Sequence, residues 1–270
     1  LEENEAYTVN KYPCLNALNE PLWPERWNYE ALMARKAEVG SLMFTREYMC
    51  VPISTGTSLF NPEYLDNAKN KDLVLKPLRR EGYKYFIGVD PAISTDGDYN
   101  VITVIEMDAD ENKSIIYVDR AKNVKFRENI QKVKLLNQVF RPEVILFETN
   151  TFAKSFTQEL RQVADVNVHD FDTTRRKKQE IILNLQMTLE NGKLNFPYGN
   201  EESRRVTSVL VEELSMFAIT ERGKFEGIGA HDDMVMSLAL ANAATYKAND
   251  NFILLDDLGL FNDEPVKGKM

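Results

Sequence analysis

Three acidic positions share one kind of placement, and they carry the most informative chemistry of the sequence. Asp90 ends an apolar run of strand length, Glu148 ends a second such run, and Asp232-Asp233 begin an apolar stretch of helical length. A carboxylate just past a buried strand emerges at the edge of the sheet, where a ligand can approach. Clustered carboxylates repel one another, so such a site needs protons or divalent cations to compensate the charge.

The residue types favour one class of metal. Only two cysteines and two histidines are present, and they lie too far apart in sequence to form a disulfide framework or a zinc set. Oxygen ligands alone favour Mg²⁺ or Mn²⁺. Two such ions, about 3.5–4 Å apart, activate a water and stabilise the leaving oxygen in phosphodiester cleavage. Each acid alone also fits an ordinary turn, strand end or helix cap, but their joint order predicts a metal-dependent nuclease.

The elements that would position these acids begin near residue 81. Apolar runs joined by short turns predict an antiparallel meander of three strands, over 83–89, 100–107 and 114–118. A helix over 127–140 then precedes a buried-type strand over 144–147, so the sheet is expected to be mixed. Later patterns predict helices over 152–163, 175–191, 203–214 and 231–246, short strands over 166–171 and 194–196, and a hairpin within 215–226.

The first 80 residues have a different character. Asn28 is a suitable N-cap for a helix over 28–39 that Gly40 would end, and a second short helix is expected over 41–49. Turn formers and hydroxyl residues follow, which is the composition of a linker. We therefore divide the chain into a small, mainly helical segment over 1–80, a domain over 81–247 and an acidic tail over 248–270.

Charge gives a mixed indication about nucleic acid. The chain has 33 Lys and Arg against 42 Asp and Glu, a net charge of −9, which argues against a general nucleic-acid binder. One helix start, Arg175-Arg176-Lys177-Lys178, concentrates positive charge and is the best candidate for phosphate contacts. A solvated helix end explains it equally well. Arg222 and Lys224, at the tip of the predicted hairpin, are a weaker second candidate.

Two further side chains near these acids have open interpretations. His231 would orient a carboxylate, shuttle a proton or cap the last helix, and Asp98 is better explained as a turn residue than as a ligand acting through water. No apolar run reaches the length of a membrane span, and no secretion signal is visible. These features predict a soluble intracellular protein, and the start at Leu1 suggests a fragment of something longer.

Three motifs together resemble the C-terminal nuclease domain of tailed-phage large terminase subunits. They are Ile87–Ala92 (IGVDPA), Ile145–Asn150 (ILFETN) and His231–Ala241 (HDDMVMSLALA). The segments 21–27 and 44–48 resemble the end of the ATPase domain and its linker, which would occupy 1–80. The resemblance implies a ribonuclease H-like α/β fold, a mixed β-sheet flanked by helices, and endonucleolytic cutting of concatemeric double-stranded viral DNA during genome packaging.

The resemblance also implies roles for individual residues. By position, Asp90, Glu148 and the Asp232-Asp233 pair match the family's catalytic metal ligands, for two Mg²⁺ or Mn²⁺ ions, and which aspartate of the pair binds metal stays open. A further acid that related resolvases often carry one turn into this helix is replaced by Met236. No phosphate-loop motif is present, so ATP hydrolysis by this chain alone is not expected.

The implied partners are double-stranded DNA, the portal protein and the small terminase subunit. The isolated domain is expected to be a monomer without a membrane contact, in the host cytoplasm and transiently at the procapsid. Two alternatives remain open. One is a junction resolvase or ribonuclease H acting on branched DNA or an RNA–DNA hybrid, and the other is a non-catalytic module that docks on the portal.

Overall fold

A mixed β-sheet forms the centre of the structure, a computed structural model that describes residues 8, 10–51, 56, 58–91, 99–149, 154–163, 166–220, 222–228 and 231–248. Within these residues the sheet has seven strands: β1 (Lys69–Asn70), β2 (Lys84–Asp90), β3 (Asn100–Met107), β4 (Lys113–Ala121), β5 (Val144–Thr149), β6 (Val168–Asp172) and β7 (Leu194–Pro197). Their order is β1-β7-β4-β3-β2-β5-β6. The pairs β2–β3 and β3–β4 are antiparallel and the other pairs are parallel, which confirms the predicted meander and mixed sheet.

Helices cover both faces of this sheet, and a separate hairpin of β8 (Phe217–Ile219) and β9 (Phe225–Gly227) follows the sixth helix. The described helices are α1 (Tyr29–Glu47), α2 (Pro62–Asn67), α3 (Phe126–Phe140), α4 (Lys154–Val163), α5 (Arg175–Glu190), α6 (Glu201–Ser215) and α7 (Asp233–Ala248). The predicted helices and the hairpin are therefore confirmed, with ends shifted by a few residues. None of the described helices has the length and apolarity that crossing a bilayer requires.

The N-terminal part differs from the prediction in one respect. Gly40 does interrupt α1, with φ 80° and ψ 157°, as expected for a glycine that ends a helical piece. The linker region, however, contains α2, which Asn61 caps, and β1, which pairs with β7. The sequence pattern missed both elements because six helical and two extended residues are too short to show a hydrophobic period.

Two apolar layers sandwich the sheet. On one face, Tyr85, Val89 and Phe147 pack against α3 residues such as Val133 and Phe140. On the other face, the buried side chains of α7 and α5 join those of α1 in a single larger cluster. The predicted aspartates at the start of α7 belong to this second face, because α7 lies directly across β2, β3 and β5.

Close backbone contact fixes α7 on the sheet. Gly88 in β2 leaves room for the backbone of α7, since a Cβ atom there would stand 3.0 Å from the Cα atom of Ala241 and would overlap other backbone atoms of the helix. Ser237 strengthens the contact: its hydroxyl donates to the carbonyl oxygen of Gly88 at 3.0 Å and accepts from the Thr103 hydroxyl at 2.9 Å. The start of α7 is thereby held at the end of β2.

A buried lysine at the other end of the sheet gives a prediction about pH and stability. Lys113 is 4% exposed, and its Nζ atom donates to the Asn242 side chain at 2.9 Å. Burial lowers the pKa of Lys113 to about 7 from an ordinary value of 10.5. The unfolded chain therefore binds more protons than the folded one between these pH values, so this position adds stability as pH rises through that window.

Replacing this lysine by methionine is expected to remove that pH dependence. The free energy of unfolding of the wild type should rise more steeply from pH 7 to 9 than that of Lys113→Met, with a difference of up to about 1.4 kcal/mol per pH unit. Urea titrations at pH 7, 8 and 9 measure this difference. The matched control is Lys71→Met at an exposed position, where the slope should equal that of the wild type. Parallel slopes for the wild type and Lys113→Met would contradict the prediction.

Candidate active site

Strand register places Asp90 and Glu148 side by side. The parallel strands β2 and β5 pair up to Val89 and Phe147, and the two acids are the next residue on each strand. Because successive side chains alternate between the faces of a strand, and Val89 and Phe147 pack on the α3 face, both acids belong to the α7 face. Two predicted metal ligands thus meet at one edge of the sheet, on the side that α7 covers.

The first residue of α7 is the third acid, Asp233. Its side chain is largely buried, with 9% of the residue exposed. The Oδ2 atom accepts a hydrogen bond from the backbone nitrogen of Tyr99 at 3.2 Å and lies 3.5 Å from Nδ1 of His231. The imidazole of His231 also packs edge-on against the Tyr99 ring, with 5.2 Å between the ring centroids. His231 therefore contacts a carboxylate, as the first of its three predicted roles requires.

The electrostatics of Asp90 show that the predicted acids converge. Burial raises the pKa of Asp90 well above its ordinary value, and the next largest causes are the negative charge of Glu148 and a hydrogen bond with it. The charges of Asp233 and Asp232 raise the pKa of Asp90 further. The other three acids predicted from the sequence thus all act on Asp90, at the same end of the sheet. Their repulsion favours a proton or a bound cation between them.

The two adjacent aspartates have different surroundings. Asp232 forms an ion pair with Lys178 of α5, with 2.9 Å between Nζ and Oδ2, and both side chains are about one quarter exposed. Asp233 instead faces Tyr99 and His231 and is more deeply buried. A lysine predicted to contact DNA thus lies beside the acids and already has a carboxylate partner.

The other basic residues of α5 remain nearer the surface. Arg175, Arg176 and Lys177 are exposed. The Arg175 guanidinium donates to the backbone oxygens of Arg222 and Gly223, at 3.1 and 2.9 Å, and so joins α5 to the β8–β9 hairpin. The predicted first and second basic patches are therefore neighbours in space.

A groove separates the hairpin from α5. It encloses about 150 Å³ and is lined by Arg175, Lys178, Lys224, Phe225 and Glu226. An adjoining depression of about 280 Å³ is lined by Thr220, Arg222, Lys224 and Glu226. Three of the five groove residues are cationic, and one of them, Lys178, also contacts Asp232. The groove consequently leads from a basic surface to the cluster of acids.

One buried acid at this end of the sheet was not among the residues predicted from the sequence. Glu213 of α6 is 4% exposed and accepts hydrogen bonds from Arg120 and from the backbone of α7. Burial raises the pKa of Glu213 to about 7. Its burial could have been predicted from its position in the sequence. Leu210 and Leu214 mark the buried face of α6, and Glu213 lies between them on that face.

The donor set suits a divalent cation of the magnesium type. Carboxylate oxygens are the ligands that Mg²⁺ and Mn²⁺ prefer, and such an ion would neutralise the negative charge that, after burial, raises the pKa of Asp90. Across the described residues, no three His, Cys, Asp or Glu side chains are arranged so that they could hold a metal as they stand. One of the four predicted acids, Asp232, is paired with Lys178.

The chain belongs to the terminase RNase H-like family. Residues 87–244 match the domain that defines this family, a span that includes Asp90, Glu148 and both aspartates at the start of α7. The structure therefore has the fold of a terminase nuclease domain, as the sequence motifs indicated. No curated protein matches the chain at a significant level.

Solved structures agree with this assignment. The large terminase nuclease from the thermophilic phage G20c is 25% identical, with a TM-score of 0.52 over 69% of this chain and 98% of that one. The same nuclease with bound magnesium matches at 24% identity and a TM-score of 0.53, over 71% and 98%. The large terminase of bacteriophage HK97 matches at 10% identity and a TM-score of 0.53, over 80% of this chain and 50% of that chain. Because the last two identities are below 25%, those comparisons show a shared fold only.

Proposed function

We propose that the chain is a metal-dependent endonuclease that cuts concatemeric double-stranded viral DNA during genome packaging. The observation that carries the proposal is the convergence of Asp90 with Glu148, Asp233 and Asp232 at one edge of an RNase H-like sheet. Membership of the terminase RNase H-like family supports the substrate class. The magnesium in the G20c nuclease structure supports the choice of cation.

Asp90, Glu148 and Asp233 are the residues we propose as ligands for two Mg²⁺ or Mn²⁺ ions. When bound, the ions would supply an activated water and charge stabilisation for the leaving oxygen of the phosphodiester. The chain's own contribution is to hold the ligands rigidly: β2 and β5 fix the first two acids in register, and α7 fixes Asp233 against Tyr99. His231 would help to orient the Asp233 carboxylate, since its Nδ1 atom lies beside the same oxygen that Tyr99 contacts.

We propose that DNA enters along the basic groove. Lys177, Arg175 and Lys224 would contact phosphates without reading base sequence. Lys178 would lie between the DNA backbone and the acids. Because the whole chain carries a net charge of −9, binding to DNA by the chain alone should be weak and strongly dependent on salt. Tight binding would then depend on the packaging partners that we propose for it, the portal protein and the small terminase subunit in the host cytoplasm.

A plasmid assay tests the proposed function. Supercoiled plasmid incubated with the chain and Mg²⁺ or Mn²⁺ should become nicked and linear, and EDTA should prevent this. Competition with a four-way junction or an RNA–DNA hybrid separates the proposal from the resolvase and ribonuclease H alternatives, because a terminase nuclease should not prefer either. A non-catalytic portal-docking module would show neither cleavage nor a rise in melting temperature with Mn²⁺.

The different surroundings of the two aspartates predict different effects of replacing them. Asp233→Asn is expected to lower metal-dependent cleavage at least about 100-fold, because replacing even the partners of metal ligands commonly costs 10- to 100-fold. Asp232→Asn should cost less than about 10-fold, since its carboxylate pairs with Lys178. Initial rates of plasmid nicking in Mn²⁺ compare the two variants. Equal losses would show that both aspartates bind metal, and a larger loss for Asp232→Asn would reverse the assignment.

A further inference from the structure

A buried carboxylate from a neighbouring helix holds the first turn of α7. Oε2 of Glu213 accepts a hydrogen bond from the backbone nitrogen of Met234 at 2.9 Å, and Oε1 accepts one from Nη2 of Arg120 at 3.1 Å. The backbone N–H groups of a first helical turn have no partner within their own helix. Glu213 therefore acts as a cap for α7 supplied from α6, directly beside Asp233.

The Glu213 carboxylate is also connected to Asp233 through two intermediate residues, Arg120 and Tyr99. The guanidinium of Arg120 lies over the Tyr99 ring, with 3.4 Å between its Cζ atom and the ring centroid. Lys122 flanks the same ring at 4.5 Å. The backbone nitrogen of Tyr99 in turn donates to Asp233. Tyr99 is thus held in place by Arg120, and Arg120 by Glu213.

The contacts from Glu213 through Arg120 to Tyr99 form a clamp, and strand register puts this clamp beside the acids. Asp90 is opposite Val101 in β3, and Val101 is opposite Arg120 in β4. Residues directly opposite one another in antiparallel strands lie on the same face, so Arg120 shares the α7 face with Asp90 at about 10 Å, two strands away. The clamp and the acids accordingly occupy one row across the sheet.

We propose that Glu213 is a positioning residue of the metal site, which holds Asp233 in place through Met234 and through the Arg120–Tyr99 pair. The inference rests on the proposed function, because it assigns Asp233 a metal to bind. A carboxylate suits this role, since its two oxygens accept from two donors at once. Glutamine has a single acceptor oxygen, and its amide nitrogen would face one of the donors. The substitution Glu213→Gln thus releases half of the clamp with little change in volume.

Metal binding without DNA is the decisive measurement. The wild type, Glu213→Gln and the control Glu212→Gln are titrated with MnCl₂ by calorimetry, and their melting temperatures are taken in EDTA. Glu212 is the exposed neighbour of Glu213 on α6. We expect the Kd for Mn²⁺ to rise about 10- to 100-fold in Glu213→Gln and to stay unchanged in Glu212→Gln. Plasmid cleavage should show a lower kcat with an unchanged KM for DNA, since the groove is untouched.

A second substitution covers the case in which Glu213→Gln does not fold. Arg120→Lys keeps a positive charge beside Glu213 and removes the planar group that stacks on Tyr99, so it should weaken Mn²⁺ binding several-fold. A lower melting temperature with unchanged Mn²⁺ affinity and kcat, in whichever of the two variants folds, would make the role of Glu213 purely structural and overturn the inference. Absence of Mn²⁺ binding in the wild type as well would instead overturn the proposed function.

Discussion

Replacement of Asp90 by asparagine is expected to reduce metal-dependent plasmid cleavage by at least about 100-fold, as large a loss as that expected for Asp233→Asn. Asp90 is the acid on which the charges of all the others act, so its loss removes the centre of the ligand set. The same change should raise the melting temperature of the metal-free protein. Burial and the neighbouring carboxylates make an ionised Asp90 unfavourable, and asparagine carries no charge.

The opposite signs of the two effects separate a catalytic role from a structural one. About 1 kcal/mol of stability corresponds to a change of 2–4 °C in melting temperature for a domain of this size, which calorimetry in EDTA resolves. A matched control is Asp119→Asn on β4, whose carboxylate pairs with Lys132. That variant should cleave like the wild type and melt slightly lower, because it loses an ion pair. Cleavage by Asp90→Asn at the wild-type rate would remove the assignment of the site.

Gly88→Ala is expected to have the largest effect on stability, at about 3 kcal/mol or more. The added methyl group would overlap the carbonyl oxygen of Ser237 and the backbone nitrogen of Ala241. Flexible side chains can move aside, but two backbone segments of a buried helix cannot, so α7 must shift off the sheet. The free energy of unfolding of natural domains is about 5–15 kcal/mol, so a loss of this size brings the protein close to unfolding. Urea titration measures the change.

A second glycine supplies the control for that substitution. Gly82 has φ +81°, and a Cβ atom there would have no described atom within 4 Å. Gly82→Ala should therefore cost only the strain of a left-handed backbone, about 1–2 kcal/mol. If the Gly88→Ala variant is no less stable than the Gly82→Ala variant, then α7 packs on β2 less closely than it does in the structure. A displaced α7 would also carry Asp233 away from Asp90, so residual cleavage by Gly88→Ala should be low.

Much of the fold was predictable from local pattern. The meander of β2, β3 and β4 follows from apolar runs of strand length separated by short polar turns, and α7 follows from a long apolar stretch after two acids. The acids Asp90 and Glu148 were recognisable because each ends such a run. Residues 62–70 were not predictable, since short elements of this kind form through contacts with distant strands such as β7.

The sequence by itself determined which residue types are available: carboxylates at the ends of buried strands, a basic helix start, and no usable set of cysteines and histidines. Only the tertiary structure decided how they are used. It pairs Asp232 with Lys178, and it places Asp233 where the backbone nitrogen of Tyr99 donates to it. Sequence alone cannot distinguish these two adjacent aspartates. The tertiary structure also brought Glu213 and Arg120 together across 93 positions of the chain. Such pairings depend on the packing of helices against a sheet, and local sequence does not encode them.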